Sequence, residues 1–477
     1  MELITAPEVD FISLAPVLVL TVFGGIVLIL DLFTGKNKSA LIFVSLVGLL
    51  MTAISAFAKF DLPVYSFNNS YVVDQLSVFF IFIFTISSAL AILLSIDFNK
   101  REDIKVGEFY SLILFCTVGM ILLASATDMI MLFLGIEVVS ICLYVLAGIR
   151  RNDVRSNEAA LKYFLLGAFA TGFLLYGMTL VYGATGTTNL LKMAEVLSLG
   201  QVNSQPILLM GVVLMVIGFG FKVAAVPFHM WAPDVYQGAP TPVTAFMAVG
   251  PKAAAFAAIY RVFAIAMPEL ASSWELLLIV IAVLSMFIGN LGAIMQTNIK
   301  RLLAYSSISH VGYILIAVIA RKSIGSSALL YYMLSYAFMI FGAFAIVIIM
   351  GRKGHENQEI QHYSGLGFKH PLIALCMTVF LLSLGGMPPL AGFVAKFYIF
   401  SAALKEGYVY LVVIAVLNSV ISFYYYLKVI VHMYMKDPTE EFQPSLTPMT
   451  LFVVALALFG TFELGLFPDP IISLTLN

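Results

Sequence analysis

The sequence predicts an all-α polytopic membrane protein with about 14 transmembrane helices. Its 477 residues are 61% hydrophobic and only 11% charged, whereas a soluble domain carries roughly 25% charged residues. The mean hydropathy is +1.03, and apolar runs of about 20 residues, long enough to cross a bilayer, follow one another along the chain. These observations exclude a soluble protein with a large core. The net charge of −1 provides no basic field for nucleic acid.

The apolar runs define the predicted helices in chain order. The first run is expected to be a retained helix, because the preceding MELITAPEVD lacks the basic region of a signal peptide. The longer connections, 184–205 and 351–370, are too short for a soluble domain. The predicted spans are 12–33, 39–58, 72–96, 108–125, 128–149, 158–183, 206–226, 242–266, 275–296, 301–319, 325–350, 371–400, 408–434 and 448–467.

The lysines and arginines of the connections predict the orientation. Alternate connections hold 14 of them and the remaining connections hold 5, so the first set is expected to be cytoplasmic and both termini to lie on the outer side. The larger set is Lys36, Lys38, Lys100, Arg101, Lys105, Arg150, Arg151, Arg155, Lys300, Arg301, Arg352, Lys353, Lys369 and Lys436. The smaller set is Lys59, Lys192, Arg321, Lys322 and Lys405.

Six further basic residues fall inside predicted spans. Lys162, Arg261 and Lys428 lie toward helix ends, from which a long side chain can reach water. Asp74 and Asp128 are interpreted as charges at helix starts. The deeper basic residues are Lys222, Lys252 and Lys396.

These three lysines and Glu137, near the middle of its span, are candidates for a proton relay. A charge at the bilayer centre costs about 2.5–3.5 kcal/mol on insertion scales. Ion pairs that only hold helices together are the alternative, but one mid-span glutamate cannot neutralise three lysines. Burial disfavours the charged form of a lysine, and a nearby carboxylate favours it. A lysine subject to both effects can gain or lose a proton when the carboxylate moves.

Two spans are expected to be broken. The segment 217–243 contains four prolines, and the segment 383–397 contains GGMPPLAG, neither of which fits a regular helix. Lys222 precedes the first break and Lys396 follows the second. Interrupted backbone at membrane depth survives only where it is buried in protein or lines a wet cavity, and in transporters it marks the ion pathway. Ordinary proline kinks would not explain a lysine beside each break.

A repeat is predicted from the spacing of these residues. The whole chain, 1–477, is expected to be one membrane domain: helices 1–3 in 1–107, repeat A in 108–266, repeat B in 267–434 and helix 14 in 435–477. Helices 4–8 and 9–13 would be two inverted five-helix repeats, with helices 7 and 12 broken. The supporting pairs are Glu137 with His310, Lys222 with Lys396 and Lys252 with Lys428, at separations of 173, 174 and 176 residues.

Two histidines, His229 in PFHMW and His310 in AYSSISHVGY, lie near membrane depth. Each is either a neutral hydrogen-bonded core residue or a proton carrier with a suitable intrinsic pKa. The cysteines Cys116, Cys142 and Cys376 form no CxxC pair, and no HExxH or phosphate-binding motif occurs, so no cofactor or metal is expected in this chain.

Four segments resemble the antiporter-like membrane subunits of respiratory complex I. They are 156–190, 222–256, 300–315 and 385–397, and the wording PDVYQGAPTPVTAF is typical of the subunit N branch from bacterial NADH:quinone oxidoreductase. The resemblance covers essentially the whole chain.

The resemblance implies a proton-translocating subunit of this quinone-reducing complex in the bacterial inner membrane. Glu137 and Lys222 would form a pair, the proton would move through Lys252 and water, and Lys396 would discharge it outward; His310 matches a histidine of the family's helix 10. NADH, FMN and iron–sulfur clusters would reside in other subunits. The expected partners are a neighbouring antiporter-like subunit, small membrane subunits and the lipid bilayer.

Three alternatives remain open. One is a subunit of a multi-subunit cation/proton antiporter, and another is the corresponding subunit of a ferredoxin-linked complex; both would share the buried lysines. A structural membrane scaffold with an inactive relay is the third, and only a proton-transfer assay on variants separates it from the first two.

Overall fold

The computed structural model describes residues 9–35, 38–58, 63–104, 106–352, 354, 356–438 and 444–476. It is an all-α membrane protein with one small hairpin, β1 (Val64–Ser66) and β2 (Tyr71–Val73), paired antiparallel. The helices of the first half are α1 (Ala15–Thr34), α2 (Ser39–Phe57), α3 (Gln75–Arg101), α4 (Glu108–Ser125), α5 (Met129–Ala147), α6 (Val154–Thr185), α7 (Leu190–Ser198), α8 (Gln205–Val223), α9 (Trp231–Gly238) and α10 (Thr241–Ile259).

A π-helical turn, Tyr260–Ala266, continues α10, and short 3₁₀ turns occupy Pro268–Leu270 and Ile360–Tyr363. The helices of the second half are α11 (Ala271–Ile294), α12 (Ile299–Ile319), α13 (Gly325–Met350), α14 (Leu366–Lys369), α15 (Pro371–Gly385), α16 (Ala391–Lys405), α17 (Val409–Met435), α18 (Pro448–Leu466) and α19 (Asp469–Leu476).

Helix starts follow ordinary capping chemistry. Asp74 and Ser77 form a capping box at the start of α3, and Asn298 accepts from two backbone amides at the start of α12. Proline occupies the first turn of α8, α10, α15 and α18, where its missing N–H costs no hydrogen bond. Local sequence therefore determines where most spans begin.

Thirteen helices within the described ranges are long and apolar enough to cross a membrane. The predicted polytopic helical fold is confirmed. The predicted span 371–400 consists of two helices, α15 and α16, joined at the expected break. The hairpin and the short helices α7 and α19 were not predicted, because none has a membrane-length apolar run.

Alternating helices bring the loop charges to two faces. We name the basic face by the described residues Lys38, Lys100, Arg101, Arg150, Arg151, Arg155, Lys300, Arg301, Arg352, Lys369 and Lys436. The predicted loop residues Lys36, Lys59, Lys105 and Lys353 lie outside the described ranges. Contacts at this face join distant segments: Arg101 donates to the carbonyl oxygens of Ile348, at 2.7 Å, and Gly351, at 2.9 Å.

The centre of the molecule consists of α10, α12 and α13, whose side chains are buried almost all round. The outer helices α1, α2, α6 and α17 carry large apolar side chains on their exposed surface, such as Phe43, Phe169 and Tyr424. In a membrane protein this surface meets lipid or neighbouring subunits. Lys252, in the middle of α10, is therefore remote from both lipid and bulk water.

Both predicted breaks are present, and several of their backbone groups have hydrogen-bond partners. Ala224 ends α8 at φ 61°, and Gly386 ends α15 at φ 96°. At the first break the Trp231 indole donates to the Phe221 carbonyl oxygen at 3.0 Å, and the Val226 amide donates to Ser285 Oγ at 2.9 Å. Broken backbone buried within protein and hydrogen-bonded in this way is tolerated at membrane depth.

Candidate functional site

Lys252 lies in the buried middle of α10, and its side chain is 3% exposed. Its ammonium donates to Ser307 Oγ on α12 and lies 5.6 Å from the ring centre of Tyr236. No carboxylate lies within ion-pair distance of this lysine in the described structure. Its contacts are with neutral groups, so its protonation changes the local charge directly.

Helix α12 continues the site from Lys252. Ser307, His310 and Tyr313 are spaced by three residues and lie on neighbouring positions of one side of the helix. His310 is 2% exposed; its Nδ1 lies 2.6 Å from the Tyr332 hydroxyl and its Nε2 lies 3.3 Å from the Tyr426 hydroxyl. Both ring nitrogens therefore have a hydroxyl partner that can accept or donate a proton.

Lys396 stands at the other end of this row. It is 4% exposed and lies on α16, immediately after the second break. Its ammonium donates to the carbonyl oxygens of Leu384 at 3.1 Å and Gly385 at 2.8 Å, and to Ser419 Oγ at 2.9 Å. The two carbonyls are at the C-terminal end of α15, where the helix dipole favours a cation.

The same ammonium lies 4.9 Å from the ring centre of Tyr313 on α12. His310 is within electrostatic reach of both Lys252 and Lys396. One helix therefore places a serine, a histidine and a tyrosine between two buried lysines. We call the set Lys252, Ser307, His310, Tyr313 and Lys396 the lysine row.

Glu137 and Lys222 are near each other without direct contact. Lys222, at the end of α8, donates to Ser140 Oγ at 2.7 Å, and Ser140 follows Glu137 by about one turn of α5. No ion pair within 4.0 Å joins Glu137 to Lys222, although Glu137 interacts with the lysine electrostatically. In this structure the Lys222 ammonium therefore contacts Ser140, and the expected direct pair with Glu137 is not formed.

His229 lies in the first break, apart from the lysine row. It is 8% exposed, and its Nδ1 has no hydrogen-bond partner in the described part of the chain. No hydrogen bond from its ring to Lys222, Lys252 or Lys396 is present there. The structure thus places Lys252, His310 and Lys396 in one row, Glu137 and Lys222 beside Ser140, and His229 in neither group.

The residues expected near helix ends differ in their surroundings. Lys162, with a side chain 41% exposed, forms an ion pair with Glu158 at 2.7 Å and a second with Asp234 at 2.7 Å. Arg261 does not reach water: it is 3% exposed and pairs with Asp74 at 2.7 Å. The expectation that Arg261 extends to solvent is therefore wrong, because Asp74 supplies the counter-charge inside the protein.

Several polar partners were not predicted from the sequence. Tyr236, Tyr332, Tyr426 and Ser419 approach the lysine row from other helices, so their roles depend on helix packing. For the polar residues of α12 itself, the three-residue spacing of Ser307, His310 and Tyr313 was the sequence signal that could have identified them. Lys300, interpreted as a loop residue, is 0% exposed. Among the described residues, no group of His, Cys, Asp or Glu side chains could hold a metal ion.

Comparison with known proteins places the chain in a family. The family model for "NADH:quinone oxidoreductase/Mrp antiporter, TM" matches residues 126–422. The NADH-quinone oxidoreductase subunit N of Trichlorobacter lovleyi is 49% identical over 460 residues, covering 96% of this chain and 94% of the relative.

Solved structures have the same fold. A chain of respiratory complex I from Thermus thermophilus with bound aureothin is 35% identical, with a TM-score of 0.82 over 96% of this chain and 98% of that chain. A chain of the Mrp complex from Dietzia is 22% identical with a TM-score of 0.83, covering 97% of this chain and 95% of the other, and shows the fold alone.

Proposed function

This chain belongs to the membrane-subunit family shared by NADH:quinone oxidoreductases and Mrp antiporters, and we propose that it is subunit N of a proton-translocating NADH:quinone oxidoreductase. In this proposal the chain itself carries no redox centre. NADH, FMN, the iron–sulfur clusters and the quinone would be bound by other subunits, and this chain would couple their reaction to proton transfer.

The observation that carries the proposal is the lysine row. Two lysines, each at most 4% exposed, are joined by neutral polar side chains of one helix, and neither has a carboxylate partner within ion-pair distance in the described residues. An arrangement that served only to hold helices together would neutralise such expensive charges by pairing. Intramembrane ionisable groups are, by default, signs of an ion pathway.

The row supports a sequence of proton shifts. A proton leaving the Lys252 ammonium would pass through the Ser307 hydroxyl, with water completing the path, to one nitrogen of the His310 imidazole. The imidazole would release a proton from its other nitrogen, and the Lys396 amine would accept it. Each step transfers one proton between nitrogen and oxygen atoms, and no atom changes its oxidation state.

Glu137 and Lys222 would control the start of this transfer. When Glu137 is near Lys222, its negative charge stabilises the ammonium; when the two separate, that stabilisation falls and the proton moves toward Lys252. Ser140, which accepts from Lys222 at 2.7 Å, would hold the lysine in place while Glu137 moves. Quinone reduction elsewhere in the complex would drive this movement.

Orientation and assembly are part of the proposal. The basic face would be cytoplasmic, both termini would lie on the outer side, and the complex would be in the bacterial inner membrane. The exposed apolar helices would contact lipid, a neighbouring antiporter-like subunit and small membrane subunits. The identity to subunit N of T. lovleyi favours this complex over a cation/proton antiporter or a ferredoxin-linked complex.

An inverted repeat is also proposed. Asp128 and Asn298, 170 residues apart, cap α5 and α12, and each forms an isolated β-bridge to a residue two helices further along the chain, Asn189 after α6 and Glu359 after α13. Gly385 ends α15 162 residues after Val223 ends α8. If the two breaks superpose, Lys222 and Lys396 lie on opposite sides of the break and are not equivalent positions. Superposition of spans 4–8 on spans 9–13 tests the repeat, which fails if helix 7 does not land on helix 12.

The function is tested with the intact complex in inverted membrane vesicles. Lys252→Met and Lys396→Met each remove the titrating group and keep a long apolar side chain. Because a positioned proton-transfer group typically contributes 10²–10⁴-fold, we expect NADH-driven proton uptake to fall at least about 10-fold. The measurement is the initial rate of a pH-sensitive dye response at equal amounts of assembled complex.

Lys192→Met is the matched control, since this lysine is exposed on α7 outside the row. It should leave proton uptake unchanged. Normal proton uptake in both assembled row variants would contradict the proposed function.

A further inference from the structure

Lys300 is a fully buried lysine that the lysine row does not include. It lies in the first turn of α12, at the basic face, and its side chain is 0% exposed. Its ammonium donates to the Ala239 carbonyl oxygen at 2.7 Å and lies 3.4 Å from Glu356 Oε2. This is the only carboxylate within ion-pair distance of Lys300 among the described residues.

Glu356 separates Lys300 from a cavity of about 770 Å³ at the basic face. The cavity lining includes Glu356 itself, the half-buried Gln237 and Gln358, and the exposed Asn152. Because exposed and half-buried residues line the same cavity, it connects the surface to the carboxylate. Lys300 is not among the lining residues and lies behind Glu356.

The Glu356 side chain, 11% exposed, is also the meeting point of several chain segments. It accepts hydrogen bonds from Arg150 after α5, from Thr241 at the start of α10 at 2.9 Å, and from Gln358 at 2.8 Å. Burial opposes ionisation, but Lys300, Arg150 and the hydrogen bonds from Gln358 and Thr241 together hold the pKa of Glu356 below its ordinary value. The carboxylate is thus a charged acceptor between the cavity and the buried amine.

Two structural elements lead inward from Lys300 to Lys252. On α12, Ser307 follows Lys300 by seven residues, about 10.5 Å at 1.5 Å per residue, and Ser307 accepts from Lys252. From Ala239 the chain leads back to Tyr236, whose ring centre lies 5.6 Å from the Lys252 ammonium. The Tyr236 hydroxyl is buried and has no hydrogen-bond partner in the described structure, so it is available to a bridging water.

We propose that Lys300 and Glu356 form the proton entry site of the lysine row, taking protons from the cavity at the basic face and passing them to Lys252 after it has released its own proton toward Lys396. This inference rests on the proposed function. Water in the cavity would give a proton to the Glu356 carboxylate, and Lys300 would release one of its ammonium protons inward through water. Glu356 would then return a proton to the Lys300 amine. The net change is one proton moved from the cavity to Lys252, with no change in electron count.

The decisive variant is Lys300→Arg, measured in the whole complex in inverted vesicles. Arginine keeps the positive charge beside Glu356 but does not release a proton in proteins. If Lys300 only held Glu356 in place, the variant would retain proton uptake. As an entry residue, its replacement should slow NADH-driven proton uptake at least about 10-fold, while NADH oxidation in the presence of an uncoupler stays at the parent level. Uptake at the parent rate would overturn the proposal.

Glu356→Gln provides a second test that does not depend on fitting the larger guanidinium. The amide oxygen of glutamine can still accept the hydrogen bonds from Thr241 and Gln358, but the amide cannot take up the proton, so proton uptake should again fall. The Glu356→Asp variant, which keeps a carboxylate, should restore part of the uptake. Parent-level uptake with Glu356→Gln would also overturn the proposal. Lys38→Arg is the control, since Lys38 pairs with Asp31 at the basic face and does not line the cavity.

Failure of this inference and failure of the proposed function give different results. Slow uptake with Lys252→Met and normal uptake with Lys300→Arg would leave the row in place and reject the entry site. Normal uptake with Lys252→Met would reject the proposed function itself.

Discussion

At the scale of residues, neutral contacts around buried amines are the main feature of the site. Lys252 contacts a serine and a tyrosine, and Lys396 contacts two carbonyl oxygens and a serine. The buried arginine Arg261, in contrast, has a carboxylate partner. An arginine keeps its charge and needs a counter-ion, whereas a lysine can lose its proton when its surroundings change.

Tyr426 is expected to hold the His310 imidazole in position. The Tyr426→Phe variant removes the hydroxyl that lies 3.3 Å from His310 Nε2 and also contacts Ser306. Since one hydrogen bond contributes about 0.5–1.5 kcal/mol net, we expect proton uptake to slow by about 2- to 10-fold, measured in vesicles with assembled complex.

The adjacent Tyr425 offers a matched control. It is equally buried, but its hydroxyl donates to Asn290 at 3.2 Å and does not contact His310. Tyr425→Phe should therefore leave proton uptake near the parent rate. Equal effects of the two substitutions would mean that the hydroxyl at position 426 has no particular role in transfer.

At the scale of elements, the second break depends on a close approach of two half-helices. Ser383 Oγ accepts from the Gly392 amide at 3.1 Å, and Lys396 binds the carbonyl end of α15 from α16. A Cβ on Gly392 would lie 1.8 Å from the Ser383 carbonyl oxygen. Only glycine allows this approach, so the geometry around Lys396 depends on the absence of a side chain at position 392.

Gly392→Ala should displace α16 from α15. Overpacking of this kind typically costs about 1–3 kcal/mol, so the thermal unfolding midpoint of the complex in detergent should fall, and proton uptake should fall with it. Gly172→Ala on α6 is the control, because its Cβ would meet nothing within 4 Å. A Gly392→Ala complex as stable and active as the Gly172→Ala complex would refute the close-contact argument.

At the scale of the whole molecule, the Arg261–Asp74 pair connects the start of α3 to the turn that continues α10, the helix that carries Lys252. Arg261 follows α10, donates to Asp74 at the start of α3 at 2.7 Å, and also donates to the Ala124 carbonyl oxygen at 2.5 Å. Burial alone would raise the pKa of Asp74, but Arg261 and the hydrogen bonds from Ser77 together hold this pKa below its ordinary value of 3.8.

This pair predicts a pH-dependent stability. A lowered pKa in the folded state means that the pair stabilises the fold above pH 3.8 and that this contribution disappears as the pH falls through the lowered pKa. Asp74→Asn keeps a capping side chain for α3 but removes the charge. We expect it to cost about 1–3 kcal/mol at neutral pH, less than a fully buried pair, and progressively less in acid.

Thermal unfolding of the detergent-solubilised complex across a pH series provides the measurement. Asp128→Asn is the control, since Asp128 caps α5 by accepting from the Ile130 amide at 2.8 Å, and no basic partner lies within ion-pair distance in the described residues. A stability difference for Asp74→Asn that persisted unchanged below the lowered pKa would contradict the role of the charge.

The sequence by itself determined the membrane class, the number of spans to within one, the two breaks and most of the buried charges. These properties depend on local composition: apolar runs must match the bilayer, prolines and glycines interrupt helices, and a charged residue in an apolar run is visible without knowing its neighbours. Lys222, Lys252 and Lys396 were identified for this last reason.

Only the tertiary structure decided which groups face these charges. Lys300 is one residue from a predicted loop boundary, and it is buried because the end of α9 and the segment at Glu356 close over it. Arg261 is neutralised by Asp74, 187 residues away in sequence, and Lys222 binds Ser140 without direct contact with Glu137. These partners come from helices far apart in the chain, so their identity depends on how the helices pack and not on any local pattern.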